Sequence, residues 1–350
     1  MGFFPAACFP QLFTRIENNP QGTGLWREIL KHAMMCPSVH NIQPWRVKIE
    51  SDTRAVVYYN SSLALAYADR SSAFMTITMA MFVEMISLVA SLEGYEVHVT
   101  FEPHEALKAN AGLTLFAGLE LKQTGVAPRT SLQEVYGRRT ARFGYTSEPV
   151  ADSILVSLGA EAAAFGIKCG FVTEPKTVSD IRCLCVETLF EDLYNNEYRG
   201  ELGTWIRTSG SDKITGDGLS AVCMGQPDGI THRFFTYPQR FQSGFKKHLL
   251  KHHFKQSLHN THTMLWLNHS FGAYTDWIDC GKGLLHLWLA LTKAGIYMQP
   301  FGNLVTNMDA HKKLETDILK QTGNVWFIAR IGHCKMPPAS VRKPLQTILI

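Results

Sequence analysis

Charge is scarce in this chain. Asp, Glu, Lys and Arg make up 18% of its 350 residues, against 45% hydrophobic residues. The net charge of +4 is too small for a surface built around nucleic acid, though it suits a phosphate-bearing ligand. Long apolar runs free of charge are also missing, so no membrane span is expected. The start, Met1-Gly2-Phe3-Phe4-Pro5, lacks the basic stretch of a secretory signal, and Ala6 breaks the myristoylation pattern. Eight cysteines are too few for a disulfide scaffold, and Cys183-x-Cys185 is the one close pair. Reduced thiols, several of them in the core, and a cytoplasmic location are expected. No His-Glu-x-x-His occurs, and Gly281-x-Gly283 lacks the third glycine and preceding strand of a dinucleotide fingerprint. No Ser/His/Asp set or carboxylate pair stands out. Chemistry carried by a side-chain nucleophile is therefore not indicated.

The periodicities predict an α+β chain. Residues 1–24 read as an arm. Leu25 to Met35 has apolar residues at helical spacing, and Arg46 to Tyr59 reads as strand, turn and strand. Ala73 to Leu92 predicts a buried central helix stopped by Gly94. Residues 97–101 and 113–117 read as further strands. A short helix is expected over Ser131 to Tyr136, with helices over 152–166 and 177–195 and a strand over 168–172. Residues 196–262 read as the least regular part. Trp277 to Ala294 predicts a second long helix closed by Gly295, and Asn324 to Ile331 a buried strand. Each half therefore has a long apolar helix ended by glycine before a strand, although Ala80–Gly94 and Gly283–Gly295 share little identity.

Three segments carry candidate chemistry. Pro37-Ser38-Val39-His40-Asn41-Ile42-Gln43-Pro44-Trp45-Arg46 joins helix to strand and is too stiff and polar to build core. Its short side chains suit a wall beside a flat ligand. Arg138, Arg139 and Arg142, with the Thr140 hydroxyl, fit a phosphate, since guanidinium groups bind it with forked, charge-assisted hydrogen bonds. The same cluster also reads as a solvated basic turn. Ser340 and Arg342 stand two apart in a proline-fixed tail and would share one side of an extended segment. Leu345, Ile348, Leu349 and Ile350 are too apolar for a free end and predict that the tail packs back.

Together, PSVHNIQPWR, RRTAR and PASVRKPL resemble the flavin-dependent nitroreductase-like superfamily, and in particular its fused, two-half Acg-like branch. The resemblance implies two fused pseudo-symmetric halves, 25–130 and 131–350. Each would have a central mixed or antiparallel sheet flanked by helices, like a nitroreductase homodimer in one chain. Only one complete set of motifs is present, so it implies one FMN per chain. It assigns Arg138, Arg139, Thr140 and Arg142 to the phosphate, ribityl chain and pyrimidine edge, and Arg342 with Ser340 to the phosphate. Pro37, Ser38 and Asn41 would wall the ring, while Gln43 and Trp45 would fix the loop. Pro300, Gly302 and Asn303 would lie near flavin N5 and O4 in a looser match.

The implied activity is hydride transfer from NAD(P)H through FMN to a small oxidised acceptor such as a nitroaromatic or quinone. The implied alternative is a flavin-sequestering protein with little reductase activity. For that, residues 196–262 would form a lid, with Phe234, Phe235, Tyr237 and Phe241 either covering the ring or simply packing. No metal, nucleic acid or membrane partner is expected, and the chain would be a monomer or a homodimer. The basic, histidine-rich stretch Lys246 to His262 reads as a solvated helix, a metal site through His248 and His252, or a contact for an anionic ligand or partner.

Overall fold

A computed structural model describes residues 24–103, 112–321 and 323–350. The expected arm over 1–24 lies outside them, Gly24 excepted. The fold is α+β. Strands β1 (Trp45–Ile49), β2 (Arg54–Asn60), β3 (Tyr95–Phe101) and β4 (Leu113–Gln123) form one four-stranded sheet in the order β1-β2-β4-β3. After β5 (Lys168–Val172) come the two-residue strands β6 (Ile206–Arg207) and β7 (Leu219–Ser220), which pair in parallel. Strands β8 (Thr263–Asn268), β9 (Tyr297–Pro300) and β10 (Val325–Gly332) complete a second four-stranded sheet, ordered β5-β8-β10-β9. Every pairing within the two larger sheets is antiparallel.

The two sheets share one topology. In each, the strands lie in the order first, second, fourth, third, and a long helix joins the second to the third. These helices are Ala73–Ser91 and Tyr274–Lys293, and a shorter helix precedes each first strand, Gly24–Ala33 and Asp152–Ala163. The repeat is interrupted between β5 and β8, a wider gap than residues 196–262. Strands β8 and β9 were not read from the sequence. The stretch expected to be irregular contains helices Asn196–Gly203, Asp228–Thr236 and Gly244–Ser257.

Helix Ala73–Ser91 has the length and mean hydropathy (1.9) of a membrane span, but 89% of it is buried inside the protein. It packs against Tyr274–Lys293 at the centre of the molecule. Gly94 (φ +77°) and Gly295 (φ +72°) take left-handed backbone just after these helices, as expected of glycine terminators. Gly281 marks the crossing. A Cβ there would lie 2.6 Å from the Ile77 carbonyl oxygen and 2.7 Å from the Ala80 Cβ. Across the same contact His286 meets Glu84 (2.9 Å) on the other helix and Glu161 (3.3 Å) on Asp152–Ala163.

The tail returns as expected. Leu349 bridges Val47 at the edge of the first sheet, the Ile350 N–H donates to the Val47 carbonyl (3.0 Å), and Ile348 is fully buried. Replacing Gly281 by valine should force the helices apart and cost about 1–3 kcal/mol. A urea titration reads this, and an unchanged midpoint would mean that the crossing tolerates a side chain.

Candidate active site

One large cavity, about 420 Å³, lies between the halves. Its wall includes Pro37, Ser38, Val39, His40 and Asn41 from the loop after the first helix, and Arg138, Thr140 and Arg142 from the arginine motif. Pro300, Gly302 and Asn303 after β9, and Ser340 and Arg342 from the tail, also line it. The expected residues therefore meet at one place, with one exception. Arg139 does not line the cavity. It turns back to donate to the Tyr136 carbonyl (3.3 Å) and the Pro337 carbonyl (3.0 Å), which ties the motif to the tail.

Local folding explains the placement. The arginine motif lies along the edge of the second sheet: Thr140 bridges Met298 of β9, and the Ala141 N–H donates to the Met298 carbonyl (3.0 Å). Behind it, the fully buried Arg330 of β10 donates to the carbonyls of Ala141 (3.2 Å) and Phe143 (2.7 Å) and to Gln299 Oε1 (2.8 Å). Sequence reading missed Arg330, although one charge inside the apolar strand VWFIARIG is the signal that marks it. The Asn303 side chain donates to the carbonyl of Cys185, another residue of the wall (2.9 Å), and so fixes the turn after β9.

The loop itself is strained. His40, Asn41 and Gln43 have φ of 48°, 57° and 54°, a left-handed backbone that costs non-glycine residues about 1–2 kcal/mol each. Side-chain hydrogen bonds hold it there. Gln43 Nε2 donates to the Gly216 carbonyl (2.8 Å), Gln43 Oε1 accepts from the Lys343 N–H (2.9 Å), and Ser38 Oγ accepts from the Gln43 N–H (3.1 Å). Trp45 stacks on Phe82, with ring centroids 4.3 Å apart and planes 3° from parallel. Gln43 and Trp45 thus fix the loop and stay out of the cavity wall.

Arg342 binds more protein than any other side chain here. Its Nε donates to the Met34 carbonyl (2.7 Å), and its Nη2 donates to the carbonyls of Met35 (3.0 Å) and Cys36 (3.3 Å). Its Nη1 donates to Asn41 Oδ1 (3.1 Å) and the Val341 carbonyl (2.9 Å). The tail arginine therefore caps the end of the first helix and grips the loop. Arg138 joins it through the Met35 carbonyl (3.2 Å) and lies over the Trp288 ring at 4.7 Å. Arg142 makes one long hydrogen bond, to the Cys223 carbonyl (3.4 Å).

These charges lack counter-ions. Among the described residues no carboxylate pairs with Arg138, Arg139, Arg142 or Arg342. Burial, reinforced by the neighbouring Arg342, pushes Arg138 down to about 9, and burial pushes Arg342 down to about 10. Both stay charged at neutral pH. Arg138 Nε and His40 Nδ1 are buried without a hydrogen-bond partner among the described residues. Such a set is completed by an anion with several acceptor oxygens. Burial, with the positive charge of Arg142, pulls His40 down to about 4, so it is a neutral donor or acceptor at physiological pH.

Much of the rest of the wall is apolar, although Asp69, Thr78, Tyr198 and Gln226 also line it. Val186, Leu189 and Leu193 of helix Pro175–Tyr194 face it, as do Leu202, Ile230, Phe234 and Phe235 from the long interruption. Tyr237 and Phe241, expected beside them, do not: Tyr237 is exposed, and Phe241 packs on Phe234 at 5.6 Å. The seven described cysteines are free thiols. Among the described residues no three His, Cys, Asp or Glu side chains converge to hold a metal ion.

No family model matches the chain. Two curated Mycobacterium tuberculosis proteins, from strains CDC 1551 and H37Rv and provisionally named NAD(P)H nitroreductases, are each 21% identical to it over 185 residues. The match takes in 53% of this chain and 52% of theirs, so the chain spans about half the length of the curated relatives it matches. Over that stretch the chain is similar to these two proteins. Among solved structures, the FMN-dependent nitroreductase NfnB of Mycobacterium smegmatis in complex with NADPH is 13% identical, covering 61% of this chain and 94% of its own, with TM-score 0.38. A provisionally named nitroreductase from Anabaena variabilis is 11% identical, covering 91% of this chain and 90% of its own, with TM-score 0.46.

Two outcomes follow for this cavity. Between pH 6.5 and about 4 the unfolded chain takes up a proton on His40 that the folded chain refuses. Stability should therefore fall as the pH drops through that window, and His40→Gln should flatten the slope of the urea midpoint against pH. An equal slope in the variant would refute the assignment. Arg342→Ala should cost about 2–3 kcal/mol by stranding buried carbonyls, whereas Arg142→Ala should cost under about 1 kcal/mol. Equal losses on urea unfolding would contradict the division between a staple and a ligand-facing arginine.

Proposed function

We propose that the cavity binds FMN and that the chain is an NAD(P)H-dependent oxidoreductase of nitroreductase type. The observation that carries this reading is a buried guanidinium cluster, paired with no described carboxylate, that shares one cavity with the strained Pro37–Asn41 loop. In this reading Arg142, Arg138 and the Thr140 hydroxyl would hold the phosphate and ribityl chain, with Ser340 beside them. Pro37, Ser38 and Asn41 would wall one face of the ring, and the turn Pro300–Asn303 would present its backbone near the other end. Arg342 and Arg139 would act one step back, holding the tail, the loop and the arginine motif in register. His40, neutral and without a partner for Nδ1, would offer the ring or the acceptor one hydrogen bond.

When bound, FMN supplies hydride chemistry, with NAD(P)H as donor and a small oxidised molecule such as a nitroaromatic or quinone as acceptor. The chain's own residues bind, orient and exclude water, so none of them needs to be a nucleophile or base. The repeated strand order supports reading the chain as two fused nitroreductase-like halves with one such site.

A second reading has its own observation. The segment between β5 and β8 lays Leu202, Phe234, Phe235, Leu250 and Phe254 along the cavity, and a wall of that kind suits a protein that sequesters flavin. The visible spectrum separates the two. Purified chain supplied with FMN should turn yellow and bleach with anaerobic NADPH. Bleaching by dithionite alone would favour sequestration, and a chain that never takes up FMN would overturn both. Arg142→Ala should weaken FMN binding by about 1.5–3 kcal/mol.

A further inference from the structure

The positive charge of this protein is concentrated in one stretch. Residues 229–275 contain no Asp or Glu, but hold six of the 34 Lys and Arg and seven of the 14 His. The remaining chain has 28 basic residues against 30 acidic ones. The whole excess therefore resides around helix Gly244–Ser257, which carries Lys246, Lys247, Lys251 and Lys255.

That helix has two different faces. Its inner face sends Leu250 and Phe254 into the cavity wall, and Phe254 meets Phe190 edge-on at 5.7 Å. Lys251 pairs with Glu187, and Lys247 lies over the Tyr194 ring at 5.2 Å, so these two lysines also serve the inner packing. The outer face keeps Lys246 and Lys255 exposed, and between them stand Phe245, 79% exposed, and Leu249, 53% exposed. Four residues apart on a helix, Phe245 and Leu249 are neighbours on one side. His248 and His252 share that side and are exposed as well. Close by in sequence, Tyr237 is exposed with the Arg240 guanidinium 4.7 Å from its ring centre.

A helix that is merely solvated accounts for the lysines but not for two large apolar side chains in water between them. We propose that the outer face of helix Gly244–Ser257 docks on an anionic lipid bilayer surface. Phe245 and Leu249 would sink below the headgroups, while Lys246, Lys255 and Arg240 meet lipid phosphates. This departs from the expectation of no membrane partner, which came from the lack of long charge-free apolar runs and does not bear on a surface contact. A nucleic acid fits less well, since Leu249 offers no ring on which a base can stack. The inference does not depend on the flavin reading. It does place the docked face and the cavity on opposite sides of one helix.

Sedimentation of the full chain with vesicles tests it. The protein should pellet with phosphatidylcholine vesicles containing phosphatidylglycerol, stay in solution with phosphatidylcholine alone, and be released by high salt. Lys246→Glu with Lys255→Glu should lower partitioning about tenfold or more, and Phe245→Ser should lower it at every salt concentration. All three positions are exposed, and circular dichroism should confirm an unchanged fold. Pelleting with neither vesicle, equal pelleting with both, or full binding by the lysine variant would overturn the proposal. So would lysine-dependent binding of a single-stranded oligonucleotide without vesicle binding.

Discussion

The close approach of two helices at Gly281 sets the distance between the halves of this protein. The Ile77 carbonyl of one helix lies where a side chain on the other would begin. With that spacing fixed, the loop that starts at Pro37 in the first half and the turn that starts at Pro300 in the second reach the same cavity. The His286 bridge to Glu84 and Glu161 adds a polar clasp beside the apolar contact. Glycine at the crossing thus matters for what it leaves out. The dinucleotide motif that Gly281 and Gly283 faintly suggest has no part in it.

Around the cavity the chain satisfies its arginines with carbonyl oxygens, while Asp69, a carboxylate in the same wall, accepts from the Phe74 and Met75 N–H groups instead. Arg342 takes three carbonyls at the end of the first helix, where the partial negative charge of a helix terminus already favours a cation. Arg330 does the same for the arginine motif. Carbonyl dipoles accept the hydrogen bonds but leave the formal charge uncancelled. A carboxylate at either place would have neutralised the field inside the cavity. The same bonds hold His40, Asn41 and Gln43 in left-handed backbone, so strain in the loop and charge in the wall are maintained by one network.

Much of this was legible in the sequence, for identifiable reasons. The long helices announce themselves because they are apolar nearly all round and end at glycine. The loop and the arginine motif announce themselves by clustered prolines, short polar residues and guanidinium groups, and the tail by Ser340 and Arg342 ahead of an apolar end. What was hidden depends on contacts between distant segments. Strands β8 and β9 are short, six and four residues, so their own residues do not separate them from loop. Arg139 looks equivalent to Arg138 and Arg142, and only the path of the tail past Pro337 shows that it points elsewhere. Arg342 reads as a ligand by motif, and the structure places it in the cavity wall while it also hydrogen-bonds the end of the first helix and the loop. Tyr237 and Phe241 fell outside the cavity because helix Asp228–Thr236 ends before them.

The unpaired arginines also couple occupancy to stability. Desolvating a guanidinium without a counter-charge disfavours the folded state, and here two such groups, Arg138 and Arg342, are pushed well below their usual range. An anion bound only by the folded chain returns that free energy as its mole fraction rises, in proportion to the logarithm of its concentration over its dissociation constant. The orphaned Arg138 Nε makes the same point atom by atom, because it is a buried donor that no described protein group meets. Packing could have covered it with a nearby acceptor, as it did for Arg330, whose guanidinium is met on every nitrogen. Within one molecule the two arginines show what the fold does when a charge is structural and what it leaves undone when a charge awaits a partner.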